Sequence, residues 1–396
     1  MGHGKSTGEE QRHDLRGGAQ AVLFDAVIDD APQRAGAVPV DRRTPEAIVA
    51  YDAVVSNPPY QLATSGTSDR PIYPEVMDLA YAVAGIASLV TPARFLFDAG
   101  KTPKAWNRRM LSDPCLSVSL YEPDAQSVFP GTEIMGGVAV TTRNASNPGE
   151  PIGSFCPIPE LDSIRRKVWA TEAGGRSMDD IMFAQGRLDL ARLLAEHPEC
   201  RDAIGSGGRE SRLTTSILSK LPIFSETRDA GHDLAVLGIV RGKRVMRHMP
   251  GDMVLRTPNT NVSGFKVAVP ASNGSSPVAS GAGVPVIGIP MVLGRESTHT
   301  QSFVSFGDFA GEDEARACEA YVRTRLARAL LGILKVTQHN HRGTWRLVPL
   351  LDFTRESDID WEAPANDVDR QLAERYGLDD SERDFLQHAI RALPEG

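Results

Sequence analysis

Little in this sequence is paired, repeated or greasy enough to place it in a special class. Its four cysteines, Cys115, Cys156, Cys200 and Cys318, are scattered without paired spacing. That excludes a disulfide framework and a zinc knuckle, and it fits a reducing cytoplasm. No apolar run approaches the ~20 residues that a membrane span requires, and residues 1–16 lack the apolar core of a secretion signal. Lysine is scarce, with eight in 396 residues, so arginine carries most of the positive charge. Arginine suits bidentate contacts to phosphate and to guanine. The net charge of −8 does not exclude a nucleic-acid partner, because a basic cleft can sit on an acidic body. The length suffices for two domains, each with its own core.

What is present is organised around Tyr51-Asp52-Ala53-Val54-Val55-Ser56-Asn57-Pro58-Pro59-Tyr60-Gln61. Small and β-branched residues predict a buried parallel strand. Two prolines then end it, since they can continue neither a sheet ladder nor a helix. In an open α/β sheet, ligands lie just beyond the carboxyl ends of the strands, where this tetrapeptide falls. Read without that context, it is a strand followed by an Asn-Pro turn.

Asn57-Pro58-Pro59-Tyr60 resembles the catalytic loop of the amino-directed DNA methyltransferases. The chemistry of such a loop accounts for its residue types. The Asn57 side-chain oxygen and the Pro58 carbonyl each accept a hydrogen of the target amine, and Pro59 stiffens the loop so that both are placed beforehand. Tyr60 offers a flat face to an extruded base.

The surrounding chain sharpens the resemblance. The residues 72–82 predict a helix, 85–92 a second buried strand ending at Pro92, 105–111 a helix, and 115–121 and 136–142 two further strands. Val90-Thr91-Pro92-Ala93-Arg94-Phe95-Leu96, Trp106-Asn107-Arg108-Arg109-Met110-Leu111, Val128-Phe129-Pro130 and Ile134-Met135-Gly136-Gly137-Val138 look like one subfamily. These are the adenine-specific (N6) DNA methyltransferases of type II restriction–modification systems, with methylase and target-recognition regions in one chain. Downstream, Phe265-Lys266-Val267, Ile287-Gly288-Ile289-Pro290, Thr298-His299-Thr300-Gln301-Ser302-Phe303 and Val348-Pro349-Leu350-Leu351-Asp352-Phe353 are spaced like that family's recognition and C-terminal parts. The resemblance covers roughly residues 50 to 392.

It implies an α/β fold: a partial class I methyltransferase (Rossmann-like) sheet, then an α+β target-recognition region and C-terminal helices. The expected divisions are 1–42, a poorly structured or partial N-terminal segment; 43–146, the catalytic half; 160–310, the recognition region; and 311–396, the helical end. A linker at 148–159 separates the second from the third. The implied cofactor is S-adenosyl-L-methionine and the implied partner double-stranded DNA. The adenine amine takes its methyl directly from the sulfonium, with no covalent enzyme intermediate. Phe95 or Phe97 would flank the base by position.

One departure stands out. A class I sheet places its cofactor loop three strand–helix units ahead of the Asn-Pro-Pro-Tyr strand, and each unit takes ~30 residues or more. Too little chain precedes Tyr51 for that, although 21–28 predict one strand and 44–50 a short helix capped by Thr44. Neither a glycine-rich loop after a strand nor its acidic ribose partner is legible there. Gly2-His3-Gly4-Lys5-Ser6-Thr7 has no strand leading into it and is rejected as a phosphate loop. The cofactor-binding residues are therefore unassigned, and a second chain supplying that loop is an expected partner.

In the recognition region, Arg241, Lys243, Arg244 and Arg247 form a basic cluster with His248. They are candidate phosphate contacts, although a charge run is more commonly a solvated face. Further on, 162–170, 184–203 and a long segment from Glu312 to Leu334 predict helices, and 285–293 a buried strand. Arg316, Arg323, Arg325 and Arg328 lie largely off the apolar stripe of the long helix. Gln338-His339-Asn340-His341-Arg342 has two histidines with no carboxylate or thiol residue nearby in the sequence, so no metal site is assigned. No lysine has Asp or Glu two positions before it, which excludes the magnesium chemistry of the common restriction-nuclease core.

Three functions compete. The leading one is adenine-specific methyl transfer. The second is a DNA-binding recognition module, or a truncated methylase remnant, that needs a partner for cofactor. The third is methylation of another amide or amine nitrogen, because the same loop occurs in glutamine methylation.

Overall fold

The computed structural model describes residues 21–23, 51–62, 70–99, 101–204, 210–273, 283–335 and 338–394. The chain divides into two compact units, Met1–Ser154 and Phe155–Gly396. Among the described residues no helix is long and apolar enough to cross a membrane.

The first unit is built on one five-stranded sheet. Its strands are β1 (Ala21–Leu23), β2 (Tyr51–Ser56), β3 (Ala84–Pro92), β4 (Leu116–Glu122) and β5 (Val138–Asn144). Their order is β1-β2-β3-β5-β4. β1, β2 and β3 run parallel, and β5 lies antiparallel to both β3 and β4. The strands ending at Ser56 and Pro92 are thus parallel neighbours, as the sequence predicts. Among the described residues the unit's two longer helices are α1 (Tyr73–Val83), opened by Pro74 in its first turn, and α2 (Lys104–Leu111).

Side chains alternate across a strand, so the register sorts the two faces. Val54, Ala87, Leu89, Leu116 and Ala139 share one face and are buried. The other face carries Val55, Ile86 and Leu120, which remain 54%, 42% and 57% exposed. The expected helix at 44–50 and most of the strand at 21–28 lie outside the described residues, and Gly136 and Gly137 form a turn ahead of β5 rather than opening it.

The second unit holds α3 (Pro159–Thr171), α4 (Leu190–Glu196), β6 (Leu234–Val240), β7 (Lys243–Met249), β8 (Phe265–Pro270), β9 (Met291–Leu293), β10 (Ser297–His299) and β11 (Phe303–Phe309). Four helices come next: α5 (Glu312–Arg323), α6 (Arg325–Leu334), α7 (Ala365–Arg375) and α8 (Asp380–Ala389). β7, β6 and β10 form one sheet, while β9, β8, β11 and the two-residue strand Met182–Phe183 form another. One core joins the second sheet to α3 and the four C-terminal helices. Asp379 and Glu382 close a capping box at the start of α8, and Lys167 of α3 bonds Glu382 at 2.6 Å.

Three expectations are corrected. The long helix from Glu312 is two helices, because Thr324 is extended and its hydroxyl caps α6 through Ala327 N. Of 285–293 only Met291–Leu293 is strand; Val286, at φ +62°, lies outside any strand. The segment 184–203 begins with extended bridges at Arg187 and Leu188 before α4 starts.

Arg328, predicted off the apolar stripe of its helix, is 1% exposed. Its Nε donates to the Arg323 and Thr324 carbonyls, and Nη1 donates to Pro285 O at 3.1 Å and Arg391 O at 2.6 Å. Backbone carbonyls alone accept these four bonds. Lys266 is equally hidden, its Nζ facing the carbonyls of Val262, Gly294 and Ser297 and the Ser297 hydroxyl at 3.0 to 3.4 Å.

Candidate active site in the first unit

The loop Asn57-Pro58-Pro59-Tyr60 leaves the carboxyl end of β2, and its neighbour β3 ends at Pro92 on the same edge. Asn57 is exposed, Pro58 is buried, and Pro59 and Tyr60 are half-buried. The Tyr60 carbonyl accepts from Ile72 N at 3.2 Å, and Gln61–Leu62 pairs antiparallel with Arg70–Pro71. These contacts fix the loop from its far side.

Within it, the Tyr60 hydroxyl donates to Asn57 Oδ1 at 2.8 Å. Burial raises the Tyr60 pKa above its ordinary value, so the hydroxyl stays protonated and available as a donor. The Phe129 ring meets Tyr60 edge-on, with centroids 6.4 Å apart and planes at 69°. The sequence offers Phe129 only inside a resembling motif, and its pairing with Tyr60 is a product of the fold.

A cavity of about 310 Å³ opens beside Tyr60, lined also by Tyr73, Arg94, Lys101, Thr102 and Glu133. Arg94 Nε donates to Met135 O at 2.5 Å, tying the turn after β3 to the segment before β5. Gly137, at φ +75°, approaches so closely that a Cβ there would lie 2.1 Å from the Glu122 carbonyl oxygen. Only glycine fits that junction. Phe95 and Phe97 do not flank this space. Both are buried, Phe95 against Tyr73 and Trp106 and Phe97 against Tyr121.

The basic cluster of the second unit is laid out differently from its sequence. Arg241 and Gly242, at φ +51° and +77°, form a two-residue turn joining β6 to β7, the geometry that favours a tight hairpin. Strand alternation then puts Lys243 and Arg247 on one face and Arg244 on the other. Arg247 pairs with Glu226 at 2.6 Å. Arg244 donates to Ile289 O at 2.6 Å and lies 5.7 Å from the Phe303 ring centre.

Among the described residues no group of three or more His, Cys, Asp or Glu could hold a metal ion. Asn340, between His339 and His341, is buried and donates to Pro270 O at 2.8 Å.

Residues 29–129 match the Eco57I restriction-modification methylase family. The matched segment contains β2, the Asn57–Tyr60 loop, β3 and Phe129, and it supports a restriction–modification DNA methylase. No curated protein matches the chain.

Proposed function

We propose that this chain is the catalytic and target-recognition part of a site-specific DNA methyltransferase acting on the N6 amine of adenine in a restriction–modification system. The observation that carries the reading is the Asn57-Pro58-Pro59-Tyr60 loop, held at the carboxyl edge of parallel strands within the matched segment. An adenine extruded from double-stranded DNA stacks on Tyr60, with Phe129 as the adjoining aromatic wall. Its amine gives one hydrogen to Asn57 Oδ1 and one to the Pro58 carbonyl, which raises electron density on the nitrogen where the methyl arrives. Both acceptors are preorganised by the prolines.

S-adenosyl-L-methionine is the methyl donor this chemistry calls for, and the described residues fit it only in part. Neither β2 nor β3 runs into a glycine-rich turn, and the stretch immediately after β1 lies outside the described residues. The chain's own chemistry is therefore assigned on the adenine side alone.

A second reading is a recognition module that receives its cofactor half from elsewhere. The exposed apolar residues of the five-stranded sheet favour it, because Val55, Ile86 and Leu120 stand where further helices of a doubly wound sheet would pack. On this reading those helices belong to a longer form of the chain or to a second subunit.

The test is transfer of labelled methyl from S-adenosyl-L-methionine to duplex DNA, with the modified base identified after digestion. N6-methyladenine from the chain alone supports the first reading, and N6-methyladenine only alongside a neighbouring gene product supports the second. Label in cytosine or in protein overturns the adenine assignment.

A further inference from the structure

The hairpin that scatters the basic cluster also builds a different positive surface. Arg244, on the face of β7 opposite Lys243 and Arg247, borders an open groove of about 620 Å³ in the second unit. One wall is the segment Ile289–Val292, and the other is α5, which presents Arg316, Glu319, Ala320 and Arg323. The spacing of these four residues puts them on one helical face. The opposite face of α5, with Ala315, Cys318 and Val322, is in the core.

Arg316 and Arg323 stand seven residues apart, so they are separated by about 10.5 Å along the helix axis. Measured along the duplex axis, that is roughly three rises of about 3.4 Å, the axial spacing of the phosphates of one strand. Glu319 lies between them and is the acid within the groove; Glu312 pairs with Arg316 at its edge. Arg323 also donates to the Pro394 carbonyl, and Arg244 to that of Ile289. Each bond leaves other guanidinium nitrogens for a ligand, because arginine carries five donor hydrogens. Three guanidiniums against Glu319 inside the groove and Glu312 at its edge leave a net positive surface for a chain of monoanions.

We infer that this groove, lined by Arg244, Arg316 and Arg323, seats the phosphate backbone of duplex DNA, with Glu319 as its internal counter-charge. The inference rests on the proposed DNA substrate and names the surface that holds it. Phosphates compete with Glu319 for its electrostatic attraction to the two α5 arginines and with Glu312 for Arg316. The tip residues Arg241 and Lys243 then lie outside the main contact.

Binding of a short synthetic duplex of mixed sequence is measured against salt concentration for wild type, Arg316→Ala/Arg323→Ala, Glu319→Gln and Arg241→Ala/Lys243→Ala. The α5 double variant should lose about two units from the slope of log affinity on log salt, near one per phosphate contact. Glu319→Gln should bind more tightly than wild type, and the tip variant should keep the wild-type slope. None of the altered side chains is buried, so unchanged thermal unfolding confirms folding. An unchanged slope in the α5 variant, or no gain in Glu319→Gln, overturns the groove while leaving DNA as the substrate. Absence of binding by wild type overturns the DNA reading itself.

Discussion

The Tyr60 hydroxyl donates a 2.8 Å hydrogen bond to Oδ1 of Asn57, the atom assigned to accept a hydrogen from the adenine amine. The loop therefore holds Asn57 in place at rest, and the second lone pair of its amide oxygen remains for an incoming amine. The aromatic and amide roles become separable by substitution.

Asn57→Ala removes one of the two acceptors, and one preorganised group of this kind is worth ~2.7–4 kcal/mol. In a preparation competent for methyl transfer, kcat should fall about a hundred-fold or more while DNA affinity changes little. Tyr60→Phe keeps the ring and removes only the hydroxyl donor, so its rate should stay within about ten-fold of wild type, the scale of one neutral hydrogen bond. Single-turnover rates for both variants decide the matter: equal activity in Asn57→Ala and wild type would take Asn57 out of the chemistry.

The isolated chain should bind S-adenosyl-L-methionine in the millimolar range or not measurably, ~4 kcal/mol or less. The reason is that the adenine side of the site offers few contacts to the cofactor's adenosine. Calorimetric titration reads this directly. Micromolar affinity without a partner would show that residues ahead of Tyr51 build a cofactor site of their own.

Burial draws the Lys266 pKa down from 10.5 to about 8. Between those values the unfolded chain holds a proton that the folded chain has released, so this lysine makes stability rise with pH from 8 towards 10.5. The full effect is on the order of 3 kcal/mol. Lys266→Met should flatten the rise relative to wild type in denaturant melts across that range. Parallel curves for the two proteins would mean that the carbonyl cage offsets the cost of burying the ammonium.

His299 acts at the other end of the scale. Its Nδ1 faces the Thr300 carbonyl at 3.0 Å, so that nitrogen carries the hydrogen, and Nε2 accepts from the Ser305 hydroxyl at 2.9 Å. Burial lowers its pKa to about 4. The folded state keeps the ring neutral where the unfolded chain protonates it, so stability is full above 6.5 and falls as pH drops towards 4. The loss approaches 3 kcal/mol, as an order of magnitude. His299→Gln should show a shallower acid limb in thermal melts from pH 7 to 4; an identical limb would assign the acid sensitivity to other groups.

Much of the first unit is legible in its residues. The strand before Asn57, α1 behind Pro74, the strand ending at Pro92 and α2 all fall where periodicity and prolines put them. Local signals suffice because each element buries one regular face. The site is legible only in its nearest-neighbour part. Tyr60 meeting Phe129 depends on how the turn after β4 folds back, which no local pattern encodes. The basic cluster is not one surface in the fold, because adjacent charges on a strand point to opposite faces, and Arg244 lines a groove with Arg316. Lys266 and Arg328 carry charges that would ordinarily put them at the surface. What hides them is a supply of backbone carbonyls from distant segments, and that supply exists only in the assembled unit.

The four carbonyls around Arg328 set an order of events during synthesis. Three of them precede the arginine in the chain, but the shortest bond goes to the oxygen of Arg391, beyond α8. A buried guanidinium missing an acceptor carries a desolvation penalty, and domains fold as their residues emerge from the ribosome. The second unit therefore cannot settle fully around α6 until the residues after its last helix have been released.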